Sequence, residues 1–209
     1  MEKIKEICLT LKKMYPESKT ELKFKTPFQL LIATVLSAQT TDERVNKVTA
    51  NLFKKYKTPE DFGNADVKEI MKIIKSVNFY RNKAKNIKRL SQIIVEKFNS
   101  KIPDRLEELI KLPGVARKTA NVVLSQAFRK AEGIVVDTHV KRVAYRLGLT
   151  RNTNPEKIEK DLMKILPKTE WIDLPFRLIL FGRNICKSKN PDCNNCPLYN
   201  LCLTKGKTK

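Results

Sequence analysis

The chain has 209 residues, enough for one large domain or two small ones with a sizeable buried core. Its 43 Lys+Arg against 22 Asp+Glu give a net charge of +21, which points to a polyanionic partner, nucleic acid above all. No apolar run reaches the roughly 20 residues of a membrane span. Residues 1–15 mix Lys and Glu among their apolar positions, unlike a leader peptide, so the expectation is a soluble intracellular protein.

Helical spacing dominates from the start. Ile4, Ile7, Cys8, Leu11 and Tyr15 recur on one helical face, and Cys8 reads there as a small buried hydrophobe. FQLLIATVL (28–36) is apolar all round, the mark of a core helix. After the polar break SAQTT, Thr40 with Glu43 reads as a capping box, and Val45, Val48, Leu52 and Tyr56 continue that helix. Thr58-Pro59 starts a short one. Val67, Ile70, Met71 and Ile74 form the next, broken at Asn78. Ala84, Ile87, Leu90, Ile94 and Phe98 mark a long helix, and Leu106, Leu109 and Ile110 a short one stopped by Pro113-Gly114.

GIVV (133–136) is the only plausible strand and too short to build a sheet. Val140, Val143, Ala144 and Leu147 define a helix closed by Gly148. Asn154-Pro155 opens another, and Asp173 caps a last helix reaching Cys186. The fold class is all-α, with about ten helices and short loops.

Three stretches carry chemistry. LPGVARKTANVVL (112–124) reads as helix, tight turn, helix, and the second helix presents unpaired N–H groups suited to a phosphate oxygen. Arg117 and Lys118 sit in its first turn, the end where positive charge is disfavoured. Both the helix start and Arg117 should lower the pKa of Lys118, and a lysine made easier to deprotonate is a better nucleophile. A solvated lysine contacting a phosphate is the plainer reading. VVDTHVKR (135–142) places Asp137 as an N-cap, which fixes a carboxylate in space with one oxygen unused. His139, the only histidine, has no visible partner and reads as a structural hydrogen-bonding residue.

Four of the five cysteines lie at 186, 193, 196 and 202, a C-x6-C-x2-C-x5-C pattern. Four thiolates this close suit either a zinc ion or an iron–sulfur cluster, and disulfides fit an intracellular setting poorly. Lys187 and Lys189 lie between the first two cysteines, where a metal tether would hold them against a phosphate backbone.

These three stretches, in this order, together with PFQLLIATVLSAQTTDERVNKVT (27–49), resemble the endonuclease III family of helix-hairpin-helix DNA glycosylases. The similarity runs from about Glu21 to Cys202. It implies two helical domains flanking a DNA-binding cleft: a six-helix barrel at 20–131 carrying the hairpin, and a discontinuous domain of 1–19 and 132–209 holding a [4Fe–4S] cluster on Cys186, Cys193, Cys196 and Cys202. It implies a monomeric prokaryotic enzyme of the cytoplasm and nucleoid that binds double-stranded DNA and removes damaged pyrimidines. In the family's chemistry Lys118 attacks the sugar's C1′, Asp137 assists, and β-elimination from the Schiff base cuts the strand.

By the same resemblance Gln39 fills the gap left by the flipped base and Phe79 wedges against the opposite strand. Leu112, Gly114, Ala116 and Arg117 hold the DNA backbone, with Lys187 and Lys189. Two positions depart from the usual pattern: Ala116 stands for Gly, at a cost of about 1 kcal/mol if a positive φ is needed, and Phe79 stands for Leu. The alternatives are a thymine- or adenine-mismatch glycosylase, or a helix-hairpin-helix module that binds DNA without catalysis.

Overall fold

The computed structural model describes residues 2–204. Among the described residues there are eleven α-helices, two short 3-10 turns and no strand. They form two compact units, one made of Glu21–Glu132 and the other of the residues before and after it.

The core of the Glu21–Glu132 unit is helix α2 (Pro27–Ser37), capped by Thr26, whose hydroxyl accepts the N–H of Gln29. Eight of its eleven residues are buried, as its unbroken apolar run requires. Against it pack α3 (Asp42–Lys55), α6 (Tyr80–Phe98) and α8 (Arg117–Ala127). Two short helices, α4 (Pro59–Asn64) and α5 (Val67–Ile73), lie on α6, and α7 (Leu106–Leu109) leads into α8. α4 starts at Thr58-Pro59 as expected, and Thr58 and Asp61 form a capping box there.

In the second unit α1 (Glu2–Met14) packs on α11 (Asp173–Asn184), which also packs on α9 (Thr138–Arg146). With α10 (Pro155–Ile165) they enclose a core of Ile7, Leu11, Val140, Val143, Ile158, Leu162, Leu178 and Phe181. Cys8 is buried in that core, and burial pushes its thiol up to about 11, so it is an inert hydrophobe. Arg177, also buried, is neutralised by Glu170 (3.1 Å) and Asp173 (3.7 Å), and its Nε donates to the Tyr15 carbonyl. That set ties the end of α1 to α11.

Three expectations need correction. The cap of α3 is Thr41, whose hydroxyl accepts the N–H of Arg44, and not Thr40; the Thr40 hydroxyl is engaged by another loop. Asp173 is the first residue of α11 and Ile172 its cap, because the Asp173 carboxylate faces Arg177, and the helix stops at Asn184. GIVV forms no strand. Ile134 donates its N–H to the buried carboxylate of Glu159 instead (3.2 Å), so a side chain supplies what a ladder would have given.

Candidate active site

In the hairpin, Leu112 accepts the N–H of Val115 at 3.1 Å, with Pro113 and Gly114 between them. Gly114 has φ +78°, which makes this a type II turn, with proline and glycine where it wants them. A Cβ on Gly114 would also stand 2.9 Å from Nδ2 of Asn86 on α6. Glycine is therefore required by conformation, and a side chain here would also push on that of Asn86. The Leu112 side chain is buried, so only its backbone can serve a DNA contact.

Ala116 is the N-cap of α8, with φ −80° and ψ 165°. It needs no positive φ, so the expected strain is absent. What it lacks is a capping side chain: no side-chain hydrogen bond closes the start of α8. An Ala cap costs about 1 kcal/mol relative to Ser or Asp, and it leaves the first-turn donors to whatever anion arrives. Arg117 is half-buried and Lys118 exposed at this same start. The burial that would favour a neutral Lys118 is not present in the chain alone.

Two loops of the same unit carry Gln39 and Phe79. Both residues are left-handed, at φ 55° and 58°, a conformation that costs a side-chain-bearing residue about 1–2 kcal/mol and concentrates at functional sites. Phe79 is 62 % exposed, and Gln39 is exposed as well. Neither packs in a core. Asn78 donates its side-chain amide to the Gln39 carbonyl and its backbone N–H to the Thr40 hydroxyl (3.3 Å).

Beneath them lies Lys83, which the sequence did not single out. It is 6 % exposed, and burial lowers its pKa to about 8. Its ammonium donates to the Leu36 carbonyl (2.8 Å) and to the Ala38 carbonyl, with the Thr40 hydroxyl at 3.5 Å. It thus caps the carbonyl end of α2, where a cation is favoured.

The other unit holds Asp137 and the cysteines. Asp137 is half-buried and caps α9, its Oδ1 accepting the N–H of Val140 at 2.8 Å, as expected. His139 has a partner after all: its Nδ1 lies 3.1 Å from Nη2 of Arg142. Burial lowers its pKa, with Asp137 opposing and Arg142 and Arg183 assisting, which keeps the ring neutral near pH 7.

Cys186, Cys193, Cys196 and Cys202 line one pocket with Arg146, Asp192, Tyr199 and Thr204, and no disulfide forms among the described residues. Burial raises the pKa of Cys196, and the other three thiols raise it further. Among the described residues no three His, Cys, Asp or Glu side chains are arranged to hold a single metal ion. Four soft donors gathered round a pocket suit a metal centre, either zinc or iron–sulfur.

Lys187 and Lys189 project from the exposed loop after Cys186. Arg146 braces that loop: it donates to the carbonyls of Lys187 (2.7 Å) and Ser188 (3.3 Å) and to the Cys186 sulfur (3.3 Å). Arg142 adds a bond to the Cys186 carbonyl at 3.0 Å. The sequence signal for this brace was the Arg pair spaced i, i+4 in KRVAYR, which also fits an ordinary solvated face.

Comparison with known proteins places the chain among relatives. Residues 32–168 match the HhH-GPD superfamily base excision DNA repair protein family. Endonuclease III of Synechocystis sp. is 52% identical over 197 residues, covering 94% of this chain and 90% of that one. A trapped covalent intermediate of endonuclease III with DNA superposes with TM-score 0.91 at 48% identity, covering 97% of this chain and 95% of that one. A thermostable thymine-DNA glycosylase gives 0.83 at 26%, covering 96% and 93%.

Two substitutions test the geometry. Ala116→Asp is expected to raise the thermal midpoint, since it supplies the missing cap, yet to weaken duplex binding about tenfold in an anisotropy titration because its carboxylate occupies the anion site. Arg146→Ala is expected to leave helix content intact by circular dichroism while weakening duplex binding through the loop carrying Lys187 and Lys189.

Proposed function

The chain belongs to the HhH-GPD superfamily of base excision DNA repair proteins, within its endonuclease III family, and is a DNA glycosylase and lyase; on that footing we propose that Lys118 is its nucleophile, Asp137 the assisting carboxylate and damaged pyrimidines its substrates. The observation that carries the proposal is the uncapped start of α8, which places an exposed lysine at the site where a DNA phosphate would bind. That an endonuclease III 48% identical to this chain has been captured as a covalent intermediate with DNA supports a nucleophile of this kind.

The chemistry follows from these groups. The flipped nucleotide costs a few kcal/mol in unstacking, offset by phosphate contacts at the α8 start and by Gln39 and Phe79 entering the space left in the duplex. Nζ of neutral Lys118 forms a bond to C1′ as the C1′–N bond to the base breaks, and the base leaves with the electron pair and takes up a proton. Asp137, fixed by its cap bond, either accepts the amine's proton or stabilises the positive charge that develops on the sugar. Ring opening gives a Schiff base between Nζ and C1′. The imine acidifies the C2′ proton, and its removal expels the 3′ phosphate, cutting the strand 3′ to the lesion.

The four cysteines would hold a [4Fe–4S] cluster, whose service here is structural, tying the 186–202 segment together. Lys187 and Lys189 would then meet the phosphate backbone at little entropic cost. Mismatch-specific relatives usually lack a lysine at the position of Lys118, and a non-catalytic hairpin module gives no reason for Lys118 and Asp137 to occur in one chain. The protein acts as a monomer on cytoplasmic, nucleoid DNA. In keeping with that setting, none of the described helices is long and apolar enough to cross a membrane, and endonuclease III relatives such as that of Bacillus subtilis are bacterial.

Borohydride is expected to trap a covalent complex with duplex DNA containing an abasic site, and Lys118→Gln to abolish it; an undiminished complex in the variant would remove Lys118 from the mechanism. Asp137→Asn keeps a good N-cap and removes the charge. It is expected to slow excision and strand cleavage with little change in duplex affinity, whereas a large loss of affinity would reduce Asp137 to a cap. Protein purified without air should contain iron and acid-labile sulfide and no stoichiometric zinc.

A further inference from the structure

Gln39 and Phe79 lie forty residues apart in sequence, yet the structure joins their loops through a small polar lattice. Asn78, directly before Phe79, bonds the Gln39 carbonyl through its side chain and the Thr40 hydroxyl through its backbone. Lys83, in the first turn of α6 after Phe79, grips the carbonyls of Leu36 and Ala38 on the other side of Gln39. We propose that Asn78 and Lys83 are positioning residues that lock the Gln39 and Phe79 loops into one preformed probe, so that both side chains enter the duplex as a single rigid unit. The inference rests on the reading that these two side chains enter the space left by the flipped base.

The physical case has three parts. Both probe residues are held left-handed, and a strained loop persists only where its surroundings over-determine it. Asn78 and Lys83 supply that determination, fixing the backbone on both sides of Gln39. A buried ammonium with carbonyl acceptors is costly to place. Its placement here caps α2 with a charge, where an apolar side chain would leave the α2 carbonyls without this donor. Holding the loops in advance also spares the ordering entropy that each would otherwise lose on meeting DNA. Sub-ångström placement of groups remote from the reacting bond is worth up to about a hundredfold in rate.

The test is a double-mutant cycle on single-turnover excision of a damaged pyrimidine from duplex DNA, at saturating enzyme, with duplex affinity measured alongside. Asn78→Ala and Lys83→Met are each expected to slow excision about tenfold, with a smaller effect on affinity, since the phosphates are held at the hairpin. In a background carrying both Gln39→Ala and Phe79→Ala, Asn78→Ala should add less than about twofold, because its bond acts only through the placement of those two side chains.

A full additional loss in that background overturns the proposal, as does unimpaired excision by Asn78→Ala. Asn78 is exposed, so its variant carries the test even if Lys83→Met fails to fold. If Gln39→Ala alone leaves excision unchanged, the gap-filling reading falls and takes the proposal with it. If Gln39→Ala slows excision but the cycle is additive, only the proposal falls.

Discussion

The start of α8 is left without a cap, and most of the functional argument depends on that. A helix beginning at Ala116 has no side chain to turn back onto its first N–H groups. The protein forgoes about 1 kcal/mol of helix stability and keeps a set of aligned donors for an anion. The turn that sets up this helix start is in turn fixed by Gly114, required there by its φ. One backbone feature thus supplies phosphate binding and an electropositive setting for Lys118. Lys118 is exposed in the chain alone, so on the proposed mechanism its desolvation has to come from the DNA that covers it.

Helix α6 organises the rest of its unit. Its N-terminal flank presents Phe79, its first turn sends Lys83 under the Gln39 loop, and one turn further Asn86 abuts the hairpin turn. Rigid elements carrying probing residues are what catalysis by positioning needs. In the other unit Arg146 plays the equivalent part, gripping the backbone of the loop that bears Lys187 and Lys189. Asp137 follows a segment whose backbone N–H is held by Glu159. Buried polar groups in both units are spent on fixing loops.

Much of this was legible in the sequence where the signal was local. Pro113-Gly114 announced its turn, Asp137 its capping role, the 28–36 run its burial, and the cysteine spacing its pocket. Residues defined by contacts across long stretches of chain were not legible. Lys83 meets Leu36 across 47 residues and Arg146 meets Cys186 across 40, and no local pattern marks a lysine that will be buried. Thr40 and Thr41 are equally good caps on paper; the choice fell to Thr41 because the Thr40 hydroxyl is used by Asn78. Nothing local in the sequence marks the left-handed backbone and exposure of Phe79.

With 32 lysines in the chain, many amines compete for an abasic aldehyde, so covalent capture by itself does not say which one reacts. Peptide mapping of the borohydride-reduced adduct by mass spectrometry resolves the question. The account predicts that the DNA remnant sits on the peptide containing Lys118 and on Nζ of that residue. An adduct at the N-terminal amine, on Lys187 or Lys189, or spread over several lysines would contradict it.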